Sequence, residues 1–392
     1  MPSDLGSTAR AVRRGDRPAL GCCAIRPHGC RFRPFGSIRP DTVGAHRRRD
    51  RGGGDVQGRV RSTTVRFAAA GVLTLATLGT AVATGPAAGA APQRIARQQG
   101  APAHVHYLPV PGAKPAHIQG QLIYHGGNVM YKSSTTYAIF WEPPKLQDGS
   151  AAYVAPTYNA DILQYFNDIG GTGLYNNNTQ YYQGSGNNQK FIKNVSTLGG
   201  SWVDTAAYPK SGCTDPATPG NCLTDAQIQA EVSHAISVNG WTANDQNIFL
   251  AFTARGEGSC FGTSGSCAFT TYCAYHGDFG AGGATIYANM PYGATIYYAR
   301  RPSCTREVRF PHVLDSDIEV NIVSHEQIEA TTDPHLNAWY DASGEEIGDL
   351  CVYNYGTKDE DGGLANQKWN GRYYLMQMEW DNMQTGCVQD GP

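Results

Sequence analysis

The distribution of apolar residues predicts several β-strands in the region after about residue 118. "TTYAIFWE" (135–142) places aromatic and β-branched residues at strand spacing, and "QNIFLAFTA" (246–254) is a continuous apolar run typical of a fully buried strand. "GGATIYANMPYGATIYYAR" (282–300) predicts one or two further strands. The Gly-, Ser- and Cys-rich stretch 255–281 predicts a loop.

Helical periodicity predicts two helices in the same region. In "APTYNADILQYFNDIGG" (155–171) apolar and aromatic residues recur on one helical face before a Gly-Gly stop. A second helix is predicted from Thr224 to Gly240. Thr224 and Gln227 form a capping-box pattern at its start, and Gly240 can take the left-handed conformation that commonly ends a helix.

A third helix is predicted over 315–332. Its first three residues, Asp-Ser-Asp, are typical capping residues, and Pro334 is expected to end it because proline clashes with a continuing turn. Along the chain, strands and the first two helices precede this third helix. This order predicts an α+β fold in a single disulfide-bonded domain. We expect a mixed or antiparallel sheet packed against an active-site helix, which is a zincin-like architecture.

Four segments are predicted along the chain. Residues 1–58 are Arg-rich and without apolar periodicity, which indicates an untranslated or disordered leader. Residues 59–91 have the basic start, apolar core and small-residue end of a secretory signal peptide. Residues 92–117 are rich in Pro, Ala and Gln and predict a linker, and 118–392 are predicted to form the domain.

Charge and cysteine usage agree with secretion. The first 91 residues hold 15 Arg and 5 Asp, whereas the remainder holds 16 basic and 28 acidic residues. An acidic surface of this kind disfavours nucleic acid as a partner, and the short apolar run predicts no stable membrane anchor after signal cleavage. Eight cysteines follow the leader and predict disulfides, with Cys213–Cys222 as the first pair.

The chemistry is predicted to lie in "SHEQIEATTDPH" (324–335). His325 and Glu329 are four residues apart and share a helix face, and Glu326 is placed to act as a general base on a metal-bound water. This spacing is that of a zinc-hydrolase helix in which Glu replaces the second His. His335, or Glu346 in "SGEEIGDLC" (343–351), could supply the third ligand.

Asp349 follows Glu346 by three residues and is expected to orient a ligand by hydrogen bonding rather than bind the ion itself. His276, in the predicted loop, is interpreted as a hydrogen-bonded histidine rather than a ligand.

The Glu-Ile-Gly-acid pattern resembles the segment that supplies the third ligand in thermolysin-like gluzincins, which favours Glu346. More widely, most of 118–388 resembles the EXORDIUM, or phosphate-induced protein, family. In that family a His-Glu-x-x-Glu helix precedes Asn-Ala-Trp-Tyr, Glu-Ile-x-Asp-Leu-Cys and a final strand with Asn-Gly-Arg. The matching positions are His325, Glu326, Glu329, Pro334, Asn337, Ala338, Trp339, Tyr340, Glu346, Asp349, Cys351, Gly371, Arg372, Trp380 and Cys387.

The resemblance implies an extracellular protein and favours His325, Glu329 and Glu346 as ligands over His335. The leading prediction is a secreted zinc-dependent peptidase acting on extracellular peptides or a cell-wall-associated substrate, with another divalent ion as an alternative to zinc. The strand "ATIYANMPY" (284–292) is predicted to pair with an extended substrate. The alternative is a non-catalytic signalling or carbohydrate-associated surface protein with a structural or degenerate metal site, because two carboxylate ligands would weaken the Lewis acidity of the ion.

Overall fold

The computed structural model describes residues 103–112, 120–262, 265–298, 301–358 and 364–392. All of them belong to one structural unit, Thr84–Pro392. The predicted leader and signal peptide lie outside the described residues. Among the described residues, no helix has the length and apolar character needed to cross a membrane.

The main sheet has six strands, which we number in chain order. They are β1 (Val105–Pro109), β2 (Ser134–Trp141), β3 (Ser196–Asp204), β4 (Asn247–Thr253), β5 (Tyr272–Phe279) and β6 (Thr285–Met290). Their order across the sheet is β1-β5-β6-β4-β2-β3. The pairs β1–β5 and β5–β6 are antiparallel, and the other three pairs are parallel. The sheet is therefore mixed, as predicted, and the strands predicted at β2, β4 and β6 are confirmed.

Three sequence-based assignments differ from this sheet. β1 lies inside the range 92–117, so the linker prediction is wrong for Val105–Pro109, which are buried and paired along β5. β5 lies inside 255–281, for which a loop is predicted. β6 pairs with β5 on one side and β4 on the other, so its backbone has no open edge for an extended substrate.

The helices are α1 (Tyr158–Asp168), the one-turn α2 (Gly173–Asn176), α3 (Asp225–Asn239) and α4 (Leu314–Thr332). The predicted α3 boundaries are confirmed: Thr224 and Gln227 form a reciprocal capping box, and Gly240 takes the left-handed conformation with a φ of 65°.

The cap predicted for α4 is wrong. Val313 is the N-cap residue and makes no side-chain capping bond. Asp315 and Asp317 instead lie in the first turn, where their negative charge complements the positive end of the helix dipole. The helix ends at Thr332, two residues before Pro334, as predicted.

α3 and α4 lie on opposite faces of the sheet. The hydroxyls of Tyr275 and Tyr287 donate to the Asp225 carboxylate at the start of α3. His276, the neighbour of Tyr275 on β5, instead contacts Glu326 of α4. Because successive strand residues point to opposite faces, the two helices must cover different faces. The fold is therefore α+β, as expected from the sequence pattern.

Shorter elements and disulfides complete the unit. Short strands of two or three residues lie at Ile123–Tyr124, Tyr182–Gln183, Lys190–Phe191, Cys222–Thr224, Gly258–Cys260, Tyr297–Tyr298, Arg301–Pro302, Trp339–Tyr340, Gln367–Trp369, Arg372–Tyr374, Glu379–Asp381 and Gly386–Val388. Short 3-10 helices lie at Asn177–Gln180, Gly186–Asn188, Ala281–Gly283 and Asp349–Cys351. The disulfides are Cys213–Cys222, Cys260–Cys267, Cys273–Cys304 and Cys351–Cys387. The predicted Cys213–Cys222 pair is confirmed.

Candidate metal centre

The helix that carries the predicted site is buried around its whole circumference. Every residue of α4 from Asp315 to Thr332 is buried, polar ones included. Gln327 shows how such residues are satisfied: its amide donates to Thr136 Oγ1 at 3.0 Å and Ser196 Oγ at 2.9 Å, and it accepts from the Tyr165 hydroxyl at 2.9 Å. These contacts fix the rotation of the helix, and with it the direction in which the residues of the predicted site point.

Two histidines of the sheet face these residues. His106 on β1 and His276 on β5 are directly opposite each other in the antiparallel register. Opposite residues in such a pair project from the same face, and the two rings lie 6.0 Å apart between centroids. Both side chains are fully buried. The geometry therefore disfavours the interpretation of His276 as a loop histidine outside the ligand set, and it adds His106, which the sequence patterns do not indicate.

A turn between residues 346 and 351 closes the third side of the cluster. The Glu346 amide donates to Asp349 Oδ2 at 3.2 Å, and the Asp349 amide donates to Glu329 Oε1 at 3.0 Å. The turn therefore presents Glu346 and Asp349 towards α4. Disulfides hold both flanks, since Cys351–Cys387 anchors the turn and Cys273–Cys304 anchors β5.

His276 is oriented by Glu326. Its Nδ1 lies 3.1 Å from Glu326 Oε2, and the backbone amide of Leu108 donates to the other oxygen of Glu326 at 3.3 Å. A proton on Nδ1 leaves Nε2 as the basic nitrogen, which is the usual arrangement of a metal-binding histidine supported by a carboxylate. Among the described residues His276 Nε2 has no hydrogen-bond partner, and it lies 3.7 Å from Glu346 Oε2.

His325 has a different environment. The Gln377 side-chain amide donates to the Gly348 carbonyl at 3.1 Å and to His325 Nδ1 at 2.9 Å. With Nδ1 accepting, Nε2 is the nitrogen that carries a proton, and it lies 3.1 Å from Glu329 Oε1. The two groups are in contact, but His325 Nε2 makes no hydrogen bond to Glu329 or to any other group among the described residues. The role of ligand predicted for His325 would require the other tautomer.

Two sets of three side chains in the described residues bring ligand atoms together at this place. One is His276, Glu329 and Glu346, and the other is His106, Glu329 and Asp349; within each set the ligand atoms lie within 4.8 Å of one another. Two zinc ligands, each about 2.0–2.2 Å from the ion, can lie at most about 4.0–4.4 Å apart, and His276 Nε2 and Glu346 Oε2 of the first set are 3.7 Å apart. The unpartnered buried atoms Glu329 Oε2 and both carboxylate oxygens of Glu346 belong to these sets. The donor set therefore fits a divalent cation.

Burial without a cation is electrostatically unfavourable here. Burial and the neighbouring carboxylates raise the pKa of Glu329, Glu346 and Glu379 well above the usual range. Burial likewise raises the pKa of Glu326 to about 8. Burial and, to a smaller extent, the electrostatic effect of His325 lower the pKa of His276 to about 3. A positive ion among them would stabilise the ionised carboxylates.

The predicted site residues thus meet in one place, apart from His335. Glu329 and Glu346 share one set of ligand atoms, Glu326 supports His276, and Asp349 joins the second set. His335 lies elsewhere, with Nδ1 3.0 Å from Asp278 and Nε2 3.3 Å from Asp245. No family model matches the chain, and no match is found among curated proteins or solved structures.

Proposed function

We propose that the protein is a secreted metalloprotein whose buried cluster binds a divalent cation, with zinc as the first candidate. The observation that supports this most directly is that buried ligand atoms without hydrogen-bond partners converge from a strand, a helix and a turn. These atoms are His276 Nε2, Glu329 Oε2 and the carboxylate oxygens of Glu346. Unpaired buried carboxylates cost several kcal/mol each, so a fold that gathers them needs a compensating charge. Four disulfides favour an oxidising compartment.

Peptide hydrolysis on a zincin-like architecture is the activity that we propose for this centre. A bound zinc ion would supply Lewis-acid activation of a water molecule. Glu326 is the group that would take up the proton of that water. For this role Glu326 must exchange its contact with His276 for one with water, because both of its oxygens are occupied in the structure.

A non-catalytic centre is the second candidate, and the burial of the site favours it. His276, His325, Glu326, Glu329 and Glu346 are each 0% exposed. β1 occupies the edge of β5, so an extended substrate could pair with β5 only after β1 leaves this edge. In a purely structural role the ion would instead hold β5, α4 and the turn 346–351 together. The family resemblance to extracellular signalling proteins fits that role.

Glu326→Gln separates the two candidates. We expect purified wild-type protein to contain zinc at or above one equivalent, and a peptide library to be cleaved by wild type but not by Glu326→Gln with its zinc retained. Glu307→Gln makes the same chemical change at a half-buried residue paired with Lys358, outside the cluster, and is expected to behave as wild type. Zinc retention with no Glu326-dependent cleavage would support the structural role, and absence of bound metal would contradict both.

A further inference from the structure

The cluster contains more donors than one ion can use. The two ligand sets have only Glu329 in common, and no set among the described residues contains both His106 and His276. A single ion could therefore not bind both histidines in this arrangement. Each histidine instead contacts a carboxylate of its own, His106 Nε2 that of Asp349 and His276 Nδ1 that of Glu326.

Glu329 and Glu346 each lie beside two histidines of the cluster, and Glu346 faces both His106 and His276. Glu329 places Oε1 3.1 Å from His325 and Oε2 3.7 Å from His276. Glu346 places Oε1 3.7 Å from His106 and Oε2 3.7 Å from His276. A carboxylate whose two oxygens face different ligand groups is the arrangement that bridges two metal ions.

The local charge agrees with two ions. Glu326, Glu329, Glu346 and Asp349 are joined by Glu379 of the strand Glu379–Asp381, a buried carboxylate whose pKa the charge of Glu329 helps to raise. One divalent cation would leave a net charge of −3 on these five carboxylates when ionised, and two would leave −1. The second ion thus removes most of the remaining repulsion in a buried site.

We propose that the cluster is a dinuclear centre for divalent cations, with one ion bound by His276, Glu329 and Glu346 and the other by His106, Glu329 and Asp349. Glu329, the residue common to both ligand sets, is the bridging carboxylate, and His325 Nε2 lies beside its Oε1. The carboxylate and imidazole donors suit Zn²⁺ and Mn²⁺. This inference rests on the proposed function, because it divides the same cluster between two ions.

Metal titration of the whole secreted protein tests it. Protein stripped with a chelator is loaded with ZnCl₂, freed of unbound ion by gel filtration, and its zinc per chain is measured by mass spectrometry. We expect two equivalents in wild type and one in His106→Asn and in Asp349→Asn. His335→Asn, which alters a histidine outside the cluster, is expected to retain two. Loading with MnCl₂ should give an electron paramagnetic resonance spectrum with exchange coupling between two Mn²⁺ ions.

One equivalent in wild type, or uncoupled Mn²⁺, would overturn the dinuclear assignment while leaving a single-ion centre. No bound metal in wild type would overturn the proposed function as well. Two equivalents retained by a folded His106→Asn variant would overturn the assignment of the second ion. The wild-type count is independent of whether any variant folds.

Discussion

Gly348 lies where the turn 346–351 meets α4, and its replacement by alanine is a perturbation that removes no donor atom. A Cβ at this position would lie 2.6 Å from His325 Nδ1, 2.9 Å from His325 Cε1 and 3.0 Å from Glu329 Oε1. The backbone angles of Gly348, φ −78° and ψ −37°, are ordinary for alanine. The effect of Gly348→Ala therefore comes from steric contact with the two side chains and not from backbone strain.

The magnitude follows from two opposing contributions. Overpacking of a closed core costs about 1–3 kcal/mol, and the lower entropy of the unfolded alanine chain returns about 0.4–1 kcal/mol. The difference is a net loss of about 0–2.6 kcal/mol in the free energy of unfolding, with a midpoint of about 1.3 kcal/mol. For a domain of this size the midpoint corresponds to a decrease in Tm of roughly 3–5 °C. Because Glu329 is displaced, the zinc content should also fall.

Thermal unfolding followed by circular dichroism, with zinc and after chelation, measures both effects. Gly386→Ala is the matched control, because its Cβ would meet no atom closer than the Gln384 carbonyl oxygen at 3.9 Å. We expect zinc to raise the Tm of this control as much as that of wild type. The reasoning is refuted if Gly348→Ala and Gly386→Ala have the same Tm and the same zinc content.

Two further predictions concern parts of the structure around the centre. Replacing both cysteines of Cys351–Cys387, which are 36 residues apart, should lower the free energy of unfolding by about 4 kcal/mol. It should also lower zinc affinity, because the bridge holds the turn at the cluster. The same change at Cys213–Cys222 should leave zinc affinity unchanged. Unfolding in urea measures the stability, and zinc competition with a chelating dye measures the affinity. Equal zinc affinities in wild type and in the variant without Cys351–Cys387 would contradict the prediction for this disulfide. Burial opposes the imidazolium form of His335, but hydrogen bonds and charges from its two aspartate neighbours outweigh this and raise its pKa. The contribution of protonated His335 to stability is thus complete below about pH 6.5 and is lost as pH rises through the raised pKa. His335→Gln should therefore lower the free energy of unfolding more at about pH 6 than at about pH 9. An equal loss at both pH values would refute this prediction.

Local patterns predict the elements of this fold better than their assembly. The α3 boundaries follow from Thr224, Gln227 and Gly240, since capping and left-handed backbone are properties of a few adjacent residues. β4 follows from an unbroken apolar run. The sequence pattern places β1 in a linker, because five residues between Pro- and Gln-rich stretches have little local signal, and their partner on β5 is more than 160 residues away in the chain.

The residues of the site also differ in whether a local pattern predicts them or only the assembled fold brings them together. Glu329 and Glu346 can be predicted, because a helical spacing of four residues and a following Glu-Ile-Gly-Asp segment are readable in one stretch of sequence. His106 and His276 cannot, because their proximity depends on the antiparallel register of β1 and β5. The alternation in "HVHYLPV" (104–110) is the one signal that could have indicated a strand with His106 on a defined face.

Crystals of zinc-loaded protein measured above and below the zinc absorption edge provide the most direct test of a metal centre in this cluster. The account predicts strong anomalous density within bonding distance of Glu329 and His276, bounded by β1, β5, α4 and the turn 346–351. Well-ordered side chains of His276, Glu329 and Glu346 with no anomalous density between them would contradict it.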